Sequence, residues 1–200
     1  MLQYGITIPE RFSLEQTRHW SRVYIDWLKQ VPVGYETLRQ TIDNYISIGL
    51  LQRQELLRVT NQVRALSKTD AYKENAEILV SIPGIGLITA MTLLTEIGDV
   101  KRFGRIDELC SFIGLVPSMH NSGESIKTGK MLRRGRKELK IMLIEASWVA
   151  IRKDPAMMLR FNELAKRMNK NKAIIRIARK MLSRLRHLLI NKQKYEFSFY

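Results

Sequence analysis

Residues 81–98 read SIPGIGLITAMTLLTEIG, and this stretch decides the fold class of the 200-residue chain. A helix over residues 71–81 runs into Pro83 and Gly84, which end it. A second helix follows from Leu87 to Ile97, with Gly98 as its C-terminal cap. Ala90 is small where the two helices must approach closely. The pattern predicts a helix-hairpin-helix turned by Gly84 and Gly86. Such a hairpin leaves backbone N–H groups at a helix N-terminus, where they can donate to a phosphate oxygen. No basic residue lies between Lys73 and Lys101, so a purely structural hairpin stands as the alternative.

Towards the N-terminus, residues 1–35 read as a helical lead-in. Ser13 with Gln16 matches a capping box, and a helix should follow to about Lys29. Its apolar face is Trp20, Val23, Tyr24, Trp27, Leu28 and Val31, at steps of three and four. Pro32 and Gly34 end it. Residues 36–70 carry a heptad seam at positions 38, 42, 45, 49, 52, 56, 59, 63 and 66. Gly49 and Gln52 interrupt an otherwise apolar row. The seam predicts either a long connector helix in a coiled coil or, with Gly49 as a break, an antiparallel hairpin.

Towards the C-terminus, residues 71–195 read as one helical domain and 196–200 as a tail. A short helix starts near Ile106, with Asp107 and Glu108 in its first turn, where carboxylates suit the helix dipole. A metal site joining them to Glu96 or Asp99 is the functional alternative. A loop follows, GLVPSMHNSGESIKTG over residues 114–129. The next helix starts between Met131 and Gly135 and runs to about Lys153. Asp154-Pro155 is an N-cap followed by a proline at the first helical position. That helix reaches about Met168, and a last one spans about 172–191, burying Ile174, Ile177, Ala178, Met181, Leu182, Leu185 and Leu188. No convincing strand is visible, so the fold class is all-α.

The formal charge is +15, and its distribution is uneven. Residues 1–80 carry ten Lys/Arg against nine Asp/Glu, while residues 126–200 carry twenty-one against five. An excess confined to the last 75 residues points to a polyanionic partner. The cations in question are Lys127, Lys130, Arg133, Arg134, Arg136, Lys137 and Lys140, then Arg176 and Lys180. Most of their contacts should be to phosphates. The single cysteine, Cys110, forbids an intrachain disulfide and suits a reducing cytoplasm; it reads as a small buried apolar residue. No run is long and apolar enough to span a membrane, and no secretory signal is visible.

Beside the basic run lies His120-Asn121-Ser122-Gly123. A serine attacks a phosphodiester only when a base takes its proton or cations stabilise the charge that develops. Asn121 and Gly123 permit a tight turn that would present the Ser122 hydroxyl, and Ser118 and Ser125 are nearly as good on residue type alone. His120 could accept a proton or bind phosphate.

Three ordered segments, SIPGIGLITAMTLLTEIGDVKRF, ELCSFIGLVPSMHNSG and KTGKMLRRGRKELKIMLIEAS, resemble the C-terminal transposase domain of the IS one-ten family of insertion sequences, whose relatives include a pilin-gene-inverting recombinase. The resemblance covers about residues 78–195 and places residues 38–66 where the family has a coiled-coil connector. It implies a DNA recombinase whose serine forms a phosphoserine link, and it singles out Ser122. It also implies DNA as partner, a structured guide RNA as a further one, and self-association. Gly129 and Gly135 match glycines of the family pattern, while Lys140 stands where relatives commonly carry arginine. The family's divalent metal belongs to an N-terminal RuvC-like domain with four acidic ligands. Residues 1–83 lack that pattern, so this chain is expected to hold no metal and to need those acids in trans. A non-catalytic helix-hairpin-helix nucleic-acid-binding protein, or an inactive remnant, is the other reading.

Overall fold

Why this sequence becomes almost entirely helical is visible in a computed structural model. It describes residues 6–13, 21–122, 125–131 and 135–197, with backbone alone at Arg11 and Ser13 and across 117–122 and 125–131. Two units are distinguished, Met1–Asn61 and Gln62–Tyr200.

The first unit contains α1 (Glu10–Ser13), α2 (Arg22–Gln30) and most of α3 (Glu36–Leu66). The sequence reading put a helix start at Ser13. Ser13 lies in α1 and is the last described residue before position 21, and Ser21 caps α2, its hydroxyl accepting from the Tyr24 N–H at 3.3 Å. Residues 14–20, Gln16 and Trp20 among them, lie outside the described residues. The core of this unit is Ile6, Phe12, Ile25, Leu28, Ile42 and Ile46. Ile25, not Val23, is the buried member of α2, because the Ile25–Leu28 step of three faces α3. Arg39 of α3 donates to the last carbonyls of α2, those of Leu28 (3.0 Å), Lys29 (3.3 Å) and Val31 (3.2 Å), and also pairs with Asp43. A guanidinium therefore satisfies acceptors that a helix end leaves open.

α3 is one unbroken helix through Gly49, so the antiparallel hairpin is not formed there. Its ends are anchored: Ile42 and Ile46 in the first core, Val63 against the second. Between them its large apolar side chains face solvent. Tyr45 is 67% exposed, Leu51 60% and Leu56 68%, and Ile48, Leu57 and Val59 are exposed as well.

The second unit holds α4 (Lys73–Val80), α5 (Leu87–Ile97), a 3-10 turn (Val100–Arg102), α6 (Ile106–Ile113), β1 (Pro117–Ser122), β2 (Ser125–Met131), α7 (Lys137–Lys153), α8 (Pro155–Ala165) and α9 (Lys170–Asn191). α9 is the central rod. It packs chiefly on α7 and α8 and also touches α4 and α6. Nine of its side chains are buried at steps of three and four, from Ala173 through Ile177 and Leu185 to Leu189. Each fully buried Leu or Ile contributes about 1.5–3 kcal/mol relative to an exposed one. Asp154 caps α8 as the sequence implied, accepting from the Ala156 and Met157 N–H groups, with Pro155 following.

The all-α class holds with one exception. Residues 117–131, read from sequence as a loop, form a two-stranded antiparallel ribbon. Strands normally announce themselves by alternating apolar residues; here Ser, His, Asn, Gly, Lys and Thr dominate, and these are turn-like or polar. Pairing is regular from Met119↔Thr128 to Ser122↔Ser125 and irregular next to Pro117, which has no N–H to give.

The hairpin between α4 and α5 is seated on α7. Gly84 has φ +91°, and a Cβ there would lie 2.2 Å from the Ala146 carbonyl oxygen and 3.1 Å from the Ala150 nitrogen. Ala146 and Ala150 are small and buried, which lets the backbones meet. Gly86 has φ −89° and nothing within 4 Å of its Cβ position. Gly84→Ala should therefore destabilise the protein by at least about 2 kcal/mol, from the left-handed backbone and the clash together. Gly86→Ala should stay within about 0.5 kcal/mol. Urea denaturation of both variants checks this; equal losses would refute the assignment.

Candidate nucleic-acid interface

The ribbon leaves the domain between two glycines. α6 ends in a Schellman arrangement: the Gly114 N–H donates to Ser111 O at 3.1 Å and the Leu115 N–H to Cys110 O at 2.8 Å, with Gly114 at φ +85°. Leu115 is fully buried and anchors the exit. On the return side Gly135 has φ +106°, and a Cβ there would sit 2.8 Å from the Gly114 nitrogen and 2.9 Å from its Cα. The two backbones cross in contact, and only glycine permits it. From this root β1 runs six residues to Ser122. At about 3.4 Å per residue the ribbon is some 17 Å long.

Ser122 and Ser125 pair as the last rung of the ladder, and His120 pairs with Lys127. Lys130 also lies on β2. The side chains of these ribbon residues, and Gly123, Arg133 and Arg134 entirely, lie outside the described residues.

α7 begins just past the root. Its cap position is Arg136, with no side-chain cap hydrogen bond, and Lys137 and Lys140 sit in its first turn or just beyond. Glu138 in the first turn suits the positive end of the helix dipole, whereas the cations meet it unfavourably and would gain from an anion. Arg136 is already engaged by Glu96 at 2.8 Å, both side chains being partly exposed. Its Cζ also lies 5.5 Å from the Phe112 ring centre. Lys137 is exposed and Lys140 half-buried.

Arg176 and Lys180 belong to a different place. Lys180 lies within electrostatic reach of Arg184, Arg160 and Asp154, the last at the C-terminal end of α7. Burial, then Arg184 and Arg160, lower its pKa. α7 is 17 residues long, so about 25 Å separates this group from Arg136. Gly84 and Gly86 also divide: Gly84 is used up in packing on α7, whereas Gly86 is exposed at the N-terminus of α5, which has no side-chain cap.

The carboxylates that could have bound metal each have local work. Glu96 pairs with Arg136 and Asp107 with Arg179, Asp99 caps the 3-10 turn, and Glu108 accepts from the Arg105 N–H. Among the described residues no group of three or more His, Cys, Asp or Glu stands where it could hold a metal ion. Cys110 is buried, and desolvation raises its thiol pKa, so it is not a nucleophile. Arg102 and Phe112, by contrast, are not among the site residues that the sequence reading singles out. Phe112 is only half-buried, and Arg102 stacks on it.

Residues 76–162 match the model of the transposase IS116/IS110/IS902 family. The chain is 27% identical over 194 residues to the transposase for insertion sequence element IS1111A of Coxiella burnetii, covering 93% of this chain and 52% of that protein. It is 33% identical over 155 residues to the transposase for insertion sequence element IS1328 of Yersinia enterocolitica, covering 74% and 42%. It is 39% identical over 122 residues to the pilin gene-inverting protein of Moraxella lacunata, covering 58% and 37%. The chain thus spans about half or less of the length of these relatives. Among the described residues no helix is long and apolar enough to cross a membrane.

Among the described residues, the titratable group shifted furthest is Tyr195, and its role is structural. Tyr195 donates to Asp154, which is 1% exposed, and accepts from Arg184 Nη1 at 2.6 Å; its backbone N–H donates to Ser81 at 2.8 Å. Burial, then the hydrogen bond to Asp154, pushes its pKa up to about 12. Unfolded tyrosine titrates near 10. The lock therefore contributes fully below pH ~10 and is lost as pH rises towards about 12. Tyr195→Phe should lower stability near pH 8 by about 1–2 kcal/mol. Its deficit should shrink between pH 10 and 12, read as the difference from the unsubstituted chain in urea titrations. A deficit independent of pH would contradict the lock.

Proposed function

We propose, from the match of residues 76–162 to the IS116/IS110/IS902 transposase family, that the ribbon presents Ser122 to a DNA phosphodiester during strand exchange. The observation that carries the reading is Ser122 closing the ladder of a ribbon rooted beside the cationic, uncapped start of α7. In the reaction, the Ser122 oxygen bonds to phosphorus while one P–O(sugar) bond breaks. A phosphoserine link and a free sugar hydroxyl result, and the serine proton passes to a base, for which His120 is the candidate on the ribbon. Attack by a second sugar hydroxyl reverses the step and rejoins the strand. One phosphate ester replaces another, so no external energy source is required. Arg136, Lys137 and Lys140, with Lys127, Lys130, Arg133 and Arg134, neutralise phosphate oxygens as charge develops.

The Arg176–Lys180 patch holds a second part of the nucleic acid. At about 25 Å from Arg136 it corresponds to roughly seven base steps of one strand. Gly86 offers backbone N–H groups at the start of α5 as a further phosphate contact. A structured RNA presents the same backbone chemistry and is the second polyanion these surfaces would take. The metal-binding acids come from a separate RuvC-like domain.

α3 serves as the connector through which two copies associate. Its bare middle carries exposed apolar residues at heptad-like spacing, which a second copy would cover with an identical stripe. Leu56→Glu combined with Val59→Glu should turn a concentration-dependent dimer into a monomer in sedimentation equilibrium. An unchanged association state would remove α3 from that role.

For the serine, the chain is combined with a relative's RuvC-like domain and duplex DNA bearing the sequences that flank its reading frame. A covalent protein–DNA adduct should form, disappear in Ser122→Ala and survive in Ser125→Ala. An adduct that persists in Ser122→Ala refutes the assignment. DNA binding with no adduct in any variant reduces the function to nucleic-acid binding.

A further inference from the structure

At the root of the ribbon two arginines share one aromatic ring. Arg102 Cζ lies 5.0 Å and Arg136 Cζ 5.5 Å from the centre of Phe112. Arg102 is also 4.6 Å from the centre of Phe103, whose ring is 5.4 Å from that of Phe112. The two guanidinium carbons are therefore no more than about 10.5 Å apart. Each cation gains from a ring, but the two repel one another. Arg136 has Glu96 as partner. Among the described residues no carboxylate pairs with Arg102, and both arginines are exposed.

The position of Arg102 is built. It ends the 3-10 turn Val100–Arg102, which Asp99 caps through the Lys101 N–H at 2.9 Å. Arg186 of α9 then ties the following residues down, donating to Phe103 O at 2.7 Å and Gly104 O at 3.0 Å. An arginine on a fixed turn, stacked on two rings and lacking a counter-ion, loses little freedom on meeting an anion. Phe112 stands two residues before Gly114, and Arg136 one residue after Gly135. The pair therefore brackets the backbone crossing from which the ribbon emerges.

We propose that Arg102 and Arg136, held on Phe112, form a clamp for a nucleic-acid phosphodiester at the foot of the ribbon, with Glu96 as the resident anion that the phosphate displaces. This rests on the reading that the domain binds nucleic acid. It adds a contact from the segment before the ribbon, where Arg102 lies in the sequence KRFGR over residues 101–105. It also gives the polyanion a fixed point at the foot of the ribbon. Glu96 is well suited to the exchange, because its pair with Arg136 is partly exposed and hence weak.

The test is fluorescence-anisotropy titration of the full chain against a 30-base-pair duplex across a salt series, run with DNA and with RNA. Arg102→Gln should weaken binding several-fold and lower the slope of log affinity against log salt by about 0.9 on DNA, one phosphate contact. Arg102→Lys, which keeps the charge but not the planar stack, should restore the slope while leaving affinity intermediate. Glu96→Gln should tighten binding about two- to fivefold, a gain that misfolding cannot produce. Effects confined to one polymer identify which backbone the clamp holds. Salt-dependent binding that Arg102→Gln and Glu96→Gln leave unchanged overturns the clamp alone. Failure of the unsubstituted chain to bind either duplex overturns the clamp and the reading beneath it.

Discussion

Backbone lying directly on backbone, at two glycines, sets the position of α7, and with it everything around the ribbon. Halfway along the helix, Gly84 rests against the carbonyl of Ala146. Just before its first turn, Gly135 rests against Gly114. Side chains can repack around a small error, but backbone pressed on backbone leaves no slack, since a single added carbon would fall inside van der Waals distance at both sites. The first contact couples the α4–α5 hairpin to α7. The second fixes where β1 leaves and β2 returns. Between them they determine the direction of the helix N-terminus and the root of the ribbon together, so the cations of α7 and the serine-bearing strand are held by one framework.

Charge in this protein has two separate uses, and net charge alone conflates them. Arg39, Arg184 and Arg186 are spent on carbonyls and a buried carboxylate: Arg39 closes α2, Arg184 completes the Asp154–Tyr195 lock, and Arg186 holds the turn at Phe103. Removing any of these would leave acceptors unsatisfied and would be felt as stability. Lys137, Arg176 and Arg102 have no such structural work among the described residues, and on the proposed reading they meet an anion that arrives from outside. The excess of +15 therefore overstates the binding surface, and its effective part falls into two places separated by the length of α7.

Much of the helical framework was legible because local signals and tertiary structure agreed. Leu87–Ile97 and its Gly98 cap, the start of α6 at Ile106, and the Asp154-Pro155 junction follow from capping chemistry that acts within a few residues. The start of α2 was not read: the sequence reading began its helix at Ser13, whereas Ser21 caps α2 and Ile25 and Leu28 are its buried residues. The ribbon was not legible, since a two-stranded pair held by its backbone needs no apolar alternation. Nor were the long-range roles. That Gly84 serves α7, sixty residues away, and that Arg102 meets Arg136 over Phe112, are properties of packing that no local window contains. The choice of Ser122 over Ser118 and Ser125 came from family resemblance, not from physical reading of the residues.

A two-stranded ribbon in water is only marginally stable on its own. Its described anchors are Leu115 before β1 and the glycine crossing at its root. Any ligand that binds across that root, to Arg136 on one side and the Phe112 turn on the other, adds to the free energy of the closed crossing and hence of the ribbon above it. Substrate binding and presentation of the reactive hydroxyl would then be one equilibrium. On the proposed reading, Ser122 is then set most firmly in place when phosphate is bound, which is the condition under which its attack would be useful.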